Sequence, residues 1–260
     1  MPGFESFSLT VMLWIAAAVV LAGFIQGALG FGFPFIATPM LAMVTDMRTA
    51  VITLLLPTLA TTVVTLATSG PLGPVLARFW MMPIYASLGA LAGTWLFVAA
   101  PGAPYQLLLA LIIIVYLNLD RIARGNWPLI RRHERAFGPL AGAAAGVFEG
   151  TANVAAPPLI IYYLALGLAP ALLVQALQIC FMVGKTTQFT VLTVYGGVTA
   201  AQWLATLPLI VVAVAASFGG VRVRSRIDAE SFRIWVKRSL LVIALVLFAQ
   251  YAYQQFARAL

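Results

Sequence analysis

Cysteine, histidine and charged residues are all scarce in this chain of 260 residues. It has one cysteine, Cys180, one histidine, His133, and only 7 acidic residues. A single cysteine excludes an intramolecular disulfide, and one cysteine and one histidine are too few for a Cys/His metal cluster. Neither the G-x-S-x-G nor the H-E-x-x-H signature is present. The sequence therefore predicts a protein that is not an enzyme and needs no cofactor.

Hydrophobic residues make up 63% of the chain and charged residues 8%, with a mean hydropathy of +1.02. This composition excludes a soluble globular domain and predicts an all-α polytopic membrane protein. Of the 15 basic residues, eleven lie in two loops: Arg121, Arg124, Arg131, Arg132 and Arg135 in one, and Arg222, Arg224, Arg226, Arg233, Lys237 and Arg238 in the other. Because both clusters flank apolar segments, we expect two cytoplasmic loops and no nucleic-acid partner.

A glycine- and proline-containing motif interrupts two of the apolar runs. The first copy extends from Ala22 to Pro34 as AGFIQGALGFGFP, and the second from Ala145 to Pro157 as AGVFEGTANVAAP. Each residue of the second copy lies 123 positions after its counterpart. Corresponding helices that are broken at the same point are typical of transporters, because irregular backbone persists at membrane depth only where it lines a cavity.

The apolar segments suggest two halves with the same plan. Ten are predicted, at 8–26, 31–44, 49–69, 78–99, 104–117, 137–150, 154–167, 171–193, 200–220 and 239–257. Those at 31–44, 137–150 and 154–167 correspond to about 21 Å of helix, too short for a hydrocarbon core of about 30 Å. We expect re-entrant helical hairpins or helices broken into two pieces, and the residues leave both open. Each half then has an odd number of crossings, which predicts two inverted-topology repeats: 1–117, a basic loop at 118–136, and 137–260.

The break itself has the properties of an anion site. Glycine at positions 30 and 32 permits backbone angles that other residues resist, and Pro34 suits the first turn of a new helix. In the second copy Asn153 also tolerates a left-handed conformation. A helix that starts at the break would point its N–H groups and its positive dipole end at an anion. We therefore predict substrate-binding residues at the breaks: Gln26, Gly30, Phe31, Gly32, Asn153 and Val154.

Two charged side chains lie well inside apolar segments, and burial of either in lipid costs free energy. Glu149 occupies the position of Gln26 in the motif and precedes the second break. It has two interpretations. One is proton coupling, because a carboxyl group can take up and release a proton. The other is a structural partnership with Lys185 or the loop backbone. Lys185 lies too deep in its segment to reach the interface, and we predict that it faces the substrate.

Polar residues form a stripe on two corresponding segments. Gln175, Gln178, Lys185 and Gln188 fall within about 140° of a helical wheel, and Thr58, Thr61, Thr62 and Thr65 within about 100°. At the offset of 123, Thr62 corresponds to Lys185 and Thr65 to Gln188. We predict that these stripes line the substrate pathway, with Thr58, Thr61, Thr62, Thr65, Gln178, Lys185 and Gln188 as binding residues. The alternative for the threonines is a bond to the carbonyl four residues back.

The motif from Gly23 to Pro34 (GxxxGxxGxGxP), its second copy from Gly146 to Pro157, and the two related halves resemble the sulfite exporter TauE/SafE family, also called the toluenesulfonate uptake permeases. The second copy departs from the glycine-rich pattern at Thr151, Asn153 and Ala155. The resemblance covers nearly the whole chain. It implies transport of sulfite or of a small organosulfur anion such as sulfoacetate across a bacterial inner membrane.

We therefore expect a secondary transporter that binds a small sulfur-containing anion near the midplane between the two breaks and is coupled to protons through Glu149. One alternative is transport of a carboxylate or another inorganic anion, which the same helix ends would bind. Another, from a different class, is a membrane scaffold subunit without flux. The expected partners are the anionic substrate and membrane lipids, and small residues such as Gly89 and Gly93 leave a homo-oligomer open.

Overall fold

The computed structural model of the chain describes residues 8–118, 127–224 and 229–259. The described residues form α-helices and no strand, which confirms the all-α prediction. The helices are α1 (Leu9–Leu29), α2 (Phe33–Ala42), α3 (Met47–Thr68), α4 (Gly73–Phe79), α5 (Met82–Ala99), α6 (Tyr105–Leu117), α7 (Pro128–Arg132), α8 (Glu134–Ala152), α9 (Ala156–Ala165), α10 (Pro170–Val194), α11 (Ala200–Ala205), α12 (Leu207–Val223) and α13 (Ala229–Ala259).

Every predicted apolar segment coincides with helix. Two of them are interrupted, because the chain turns between α4 and α5 and again between α11 and α12. Within the described residues, four stretches could cross a membrane by length and composition: Leu9–Leu29, Met47–Thr68, Met82–Ala99 and Ala200–Val223. The half-length helices α2 and α9 have 10 residues each, or about 15 Å.

The first break reverses the direction of the chain. Gly30 ends α1 at φ 81° and Gly32 precedes α2 at φ 122°, both in the region that favours glycine. The indole N–H of Trp14, near the start of α1, donates to the carbonyl of Met40, near the end of α2, over 2.8 Å. Therefore α2 returns alongside α1, and the first break is a helical hairpin rather than one straight helix in two pieces.

The second break forms a hairpin of the same kind. Asn153 ends α8 in the left-handed region at φ 64°. The Tyr162 hydroxyl, near the end of α9, donates to the carbonyl of Glu134 at the start of α8 over 3.3 Å. The 19 residues of α8 correspond to about 28 Å, longer than the 14 predicted for 137–150. The helix gains this length because it begins at Glu134, whose acidic side chain suits the first helical turn.

The helices fall into two compact units. The first comprises Met1–Thr61, Pro104–Leu117 and Thr199–Leu260. Within it α1 packs closely on α12. This close approach requires glycine at two positions, since a Cβ at Gly27 would overlap the Ser217 carbonyl and one at Gly220 would overlap the Phe24 carbonyl. Helix α13 packs against α6 and α2 in the same unit.

The second unit comprises Thr62–Ala103 and Asn118–Val198. Its centre is α5, which packs against α8 and α10. A Cβ at Gly146 would overlap the Ala86 carbonyl, and a Cβ at Gly150 would overlap the Thr94 amide nitrogen. Contacts therefore group helices from both sequence halves into each unit, and the repeat boundaries 1–117 and 137–260 and their inversion stay predictions. Three of the loop arginines, Arg121, Arg124 and Arg226, lie outside the described residues.

Candidate functional site

The second unit contains a buried ion pair. Glu149 in the last turns of α8 and Lys185 in the middle of α10 are 3% and 0% exposed. The Lys185 Nζ lies 2.5 Å from Glu149 Oε1. The pair is therefore the structural partnership that the sequence left open for Glu149, and it brings together the two charges that lie well inside the apolar segments.

Two neutral amides complete the surroundings of the lysine. Nζ donates to Asn153 Oδ1 and, over 3.0 Å, to Gln188 Oε1. An ammonium group has three N–H donors, so the carboxylate and the two amide oxygens match its full donor capacity. The Gln188 amide nitrogen in turn donates to the Glu149 carbonyl over 3.0 Å. The four side chains form one closed, buried polar cluster, which we call the Lys185 cluster.

Local structure explains why these four residues meet. Glu149 and Asn153 are one helical turn apart, and Lys185 and Gln188 lie three residues apart on one face of α10. The left-handed conformation of Asn153 is stabilised by its own N–H, which donates to the Glu149 carbonyl over 3.0 Å. The polar end of α8 therefore faces α10 within a packed unit, so each partner of the lysine is held by a helix.

The second break offers fewer backbone donors than the sequence suggested. The N–H groups of Asn153 and Val154 donate to the carbonyls of Glu149 and Phe148 and so cap α8. Pro157 and Pro158 have no N–H. In the structure without ligand a left-handed helix cap therefore uses these two donors, and anion binding at Asn153 and Val154 stays a prediction.

The other predicted residues of the second unit are also buried. Thr62, Thr65 and Gln178 are 1%, 4% and 0% exposed. The Thr62 hydroxyl makes no hydrogen bond to any residue that the structure describes. Gln175, from the same polar stripe, donates from Nε2 to the Ser69 carbonyl over 2.6 Å, so it anchors a turn.

The predicted residues of the first unit lie at its own break and on α3. The Gln26 side chain, 2% exposed, accepts a hydrogen bond from the Phe33 N–H over 3.0 Å, so it bridges the bend that contains Gly30, Phe31 and Gly32. The Thr58 hydroxyl donates to the Leu54 carbonyl over 2.6 Å. The Thr61 hydroxyl donates to the Thr58 carbonyl over 3.0 Å. Both threonines thus donate their hydroxyls within their own helix. Thr58 makes the bond to the carbonyl four residues back that the alternative predicted, and Thr61 bonds to the carbonyl three residues back.

Sequence reasoning missed a pair of buried hydroxyls. Thr94 on α5 and Ser217 on α12 are both 0% exposed, and neither hydroxyl hydrogen-bonds to a described residue. Thr94 lies against Gly150 and Ser217 against Gly27. The sequence signal that could have found them is the repeat offset of 123 residues. Ser217 follows Thr94 at this offset, just as Gly150 follows Gly27.

The described residues contain no group of three His, Cys, Asp or Glu side chains that could hold a metal ion. The Lys185 cluster contains an ammonium group and two amides. It can provide charge and hydrogen bonds, which are the means of binding an anion. No curated protein and no solved structure matches the chain. The family described as Sulfite exporter TauE/SafE matches residues 15–247. The chain therefore belongs to the sulfite exporter TauE/SafE family of membrane transporters.

Proposed function

We propose that this protein is a secondary transporter that moves a small sulfur-containing anion, sulfite or an organosulfonate such as sulfoacetate, together with a proton across the bacterial inner membrane. The observation that carries the proposal is the Glu149–Lys185 pair, the one close ion pair that lies buried among the described residues. Buried ionisable residues in membrane segments commonly lie on substrate and proton pathways.

The pair links anion binding to proton binding. In the free protein the Glu149 carboxylate contacts the Lys185 ammonium directly. An anion that binds the ammonium must replace the carboxylate, and a displaced buried carboxylate is stabilised by taking up a proton. Anion and proton then bind together. A monovalent anion such as hydrogensulfite leaves the summed charge of the cluster unchanged, and a dianion such as sulfoacetate changes it by one unit rather than two. This balance avoids a large desolvation cost in a low-dielectric interior.

The two amides support the same exchange. Asn153 and Gln188 hold the ammonium through neutral oxygens, so these contacts do not depend on the charge of Glu149. Lys185 would therefore stay in position while the carboxylate leaves. The buried hydroxyl of Thr94, a residue that lies against Gly150 beside Glu149, would donate a hydrogen bond to replace part of the hydration that the anion loses.

Uptake into proteoliposomes tests the proposal. Radiolabelled sulfite and sulfoacetate are offered with and without a pH gradient to the wild type, Lys185→Ala, Glu149→Gln and, as a matched control, Glu134→Gln. We expect flux that requires Lys185, loses its dependence on the pH gradient in Glu149→Gln, and keeps that dependence in Glu134→Gln. Flux of a carboxylate but of neither sulfur compound would overturn the substrate class. Wild-type flux that ignores the pH gradient would overturn the coupling.

A further inference from the structure

A basic cavity of ≈ 900 Å³ lies in the second unit, lined by residues from the α4–α5 junction, from α7 and from the first turns of α8. Among the described residues that line it, four are arginines, Arg78, Arg131, Arg132 and Arg135, and one, Glu134, is acidic. The Lys185 cluster contributes no residue to this wall, so the proposed transport mechanism leaves the cavity unexplained.

Most of this positive charge is available to a ligand. Arg132 and Arg135 are exposed, and neither has a hydrogen-bond or ion-pair partner in the described ranges. Arg131 uses its Nε to donate to the Ala165 carbonyl over 2.6 Å at the end of α9, which leaves its terminal N–H groups free to contact a ligand. Arg78 lies 3.4 Å from Glu134 in an exposed ion pair, and such pairs contribute little to stability.

The same wall contains exposed apolar surface. Trp80 and Met81, between α4 and α5, line the cavity and are 58% and 42% exposed. Tryptophan is enriched where membrane proteins meet the lipid headgroups. The cavity therefore combines guanidinium groups, which bind phosphate oxygens in a forked geometry, with apolar side chains next to them. A free phosphate would use the arginines alone, whereas a phospholipid would use both surfaces.

We propose that this cavity binds the phosphodiester headgroup of an anionic phospholipid, with Arg132 and Arg135 on the phosphate and the acyl chains along Trp80 and Met81. Charged loops beside membrane segments are common and by themselves indicate topology. The additional observation here is a partly open cavity whose wall pairs guanidinium groups that have no partner among the described residues with exposed aromatic surface. The site recognises the lipid independently of the anion that is transported.

Native mass spectrometry of the purified full chain in detergent tests this site. Phosphatidylglycerol is titrated against phosphatidylcholine, and bound lipid is counted for the wild type and for Arg132→Gln/Arg135→Gln. Since each basic residue near a membrane surface contributes about fivefold in affinity for anionic lipid, we expect the double variant to lose about 30-fold for phosphatidylglycerol. Binding of phosphatidylcholine should not change.

Two further variants make the result specific. Arg222→Gln/Arg224→Gln removes the same charge from exposed positions of the first unit and should leave phosphatidylglycerol binding as in the wild type. Glu134→Gln frees Arg78 from its carboxylate partner and should strengthen binding. An equal loss in both arginine pairs, or no loss in either, would overturn the proposal. Displacement of the lipid by inorganic phosphate at equal concentration would reassign the cavity to free phosphate.

Discussion

Replacement of Glu149 by glutamine separates the two roles of the buried pair, because the amide keeps the shape of the carboxyl group and loses its charge. Lys185 keeps the oxygens of Asn153 and Gln188, so the change removes mainly the charge attraction. Lys185 Nζ and Glu149 Oε1 lie 2.5 Å apart, and two unit charges at that separation attract by about 7 kcal/mol at an effective dielectric constant near 20, before the cost of burying both charges is subtracted. Loss of one member of a buried pair costs about 3–5 kcal/mol. We expect the variant without ligand to be destabilised by that amount.

The same substitution should improve anion binding. In the wild type the anion competes with a carboxylate that lies 2.5 Å from the ammonium, whereas in the variant it meets an ammonium without a charged partner. Sulfoacetate should therefore raise the apparent melting temperature of Glu149→Gln more than that of the wild type, because the anion restores the lost charge pair.

The dependence on pH gives the decisive measurement. If the wild type takes up one proton with each anion, the bound state carries one proton more than the free state. Its Kd for sulfoacetate should then rise with pH, by up to about tenfold per pH unit where the free protein holds the Glu149 carboxylate ionised and the complex holds it protonated. Glu149→Gln should show no such slope, and Glu134→Gln, whose ion pair is exposed, should behave as the wild type. A flat wild-type profile, or the same slope in Glu149→Gln, would refute the reasoning.

Four further outcomes follow from contacts within the second unit. Lys185→Ala should abolish binding of sulfoacetate in isothermal titration, and an affinity equal to that of the wild type would remove this residue from the site. The double variant Glu149→Gln/Lys185→Met should regain part of the stability that either single change loses, because it removes both buried charges. Asn153→Gly should keep the left-handed bend and lower anion affinity through the lost amide, whereas Asn153→Ala should add about 1–2 kcal/mol of backbone strain, measured as a lower melting temperature than that of Asn153→Gly. Gly146→Ala should lower the melting temperature and the folded yield because its Cβ would overlap the Ala86 carbonyl, while Gly102→Ala, with nothing within 4 Å, should change neither; equal behaviour of the two glycine variants would contradict the close α5–α8 packing.

The sequence by itself determined where the helices lie and where they break. Apolar length against bilayer thickness is a property of each segment alone, so all predicted segments fall on helices. Glycine and asparagine at the breaks are also local signals, because only such residues adopt positive φ readily. Gly30, Gly32 and Asn153 adopt it. The family could be named from the same motif, since the motif is a pattern along the chain.

Only the tertiary structure decided how these pieces combine. The reversal of the chain at each break depends on distant contacts, such as that from Trp14 to Met40. The sequence offered two roles for Glu149, and its contact with Lys185 depends on how α8 and α10 pack. The backbone donors at Asn153 were predicted to be available, but their use in capping α8 depends on the conformation of the loop. The contacts of Trp14 with Met40 and of Glu149 with Lys185 join residues 26 and 36 positions apart in the chain, and no local spacing encodes them.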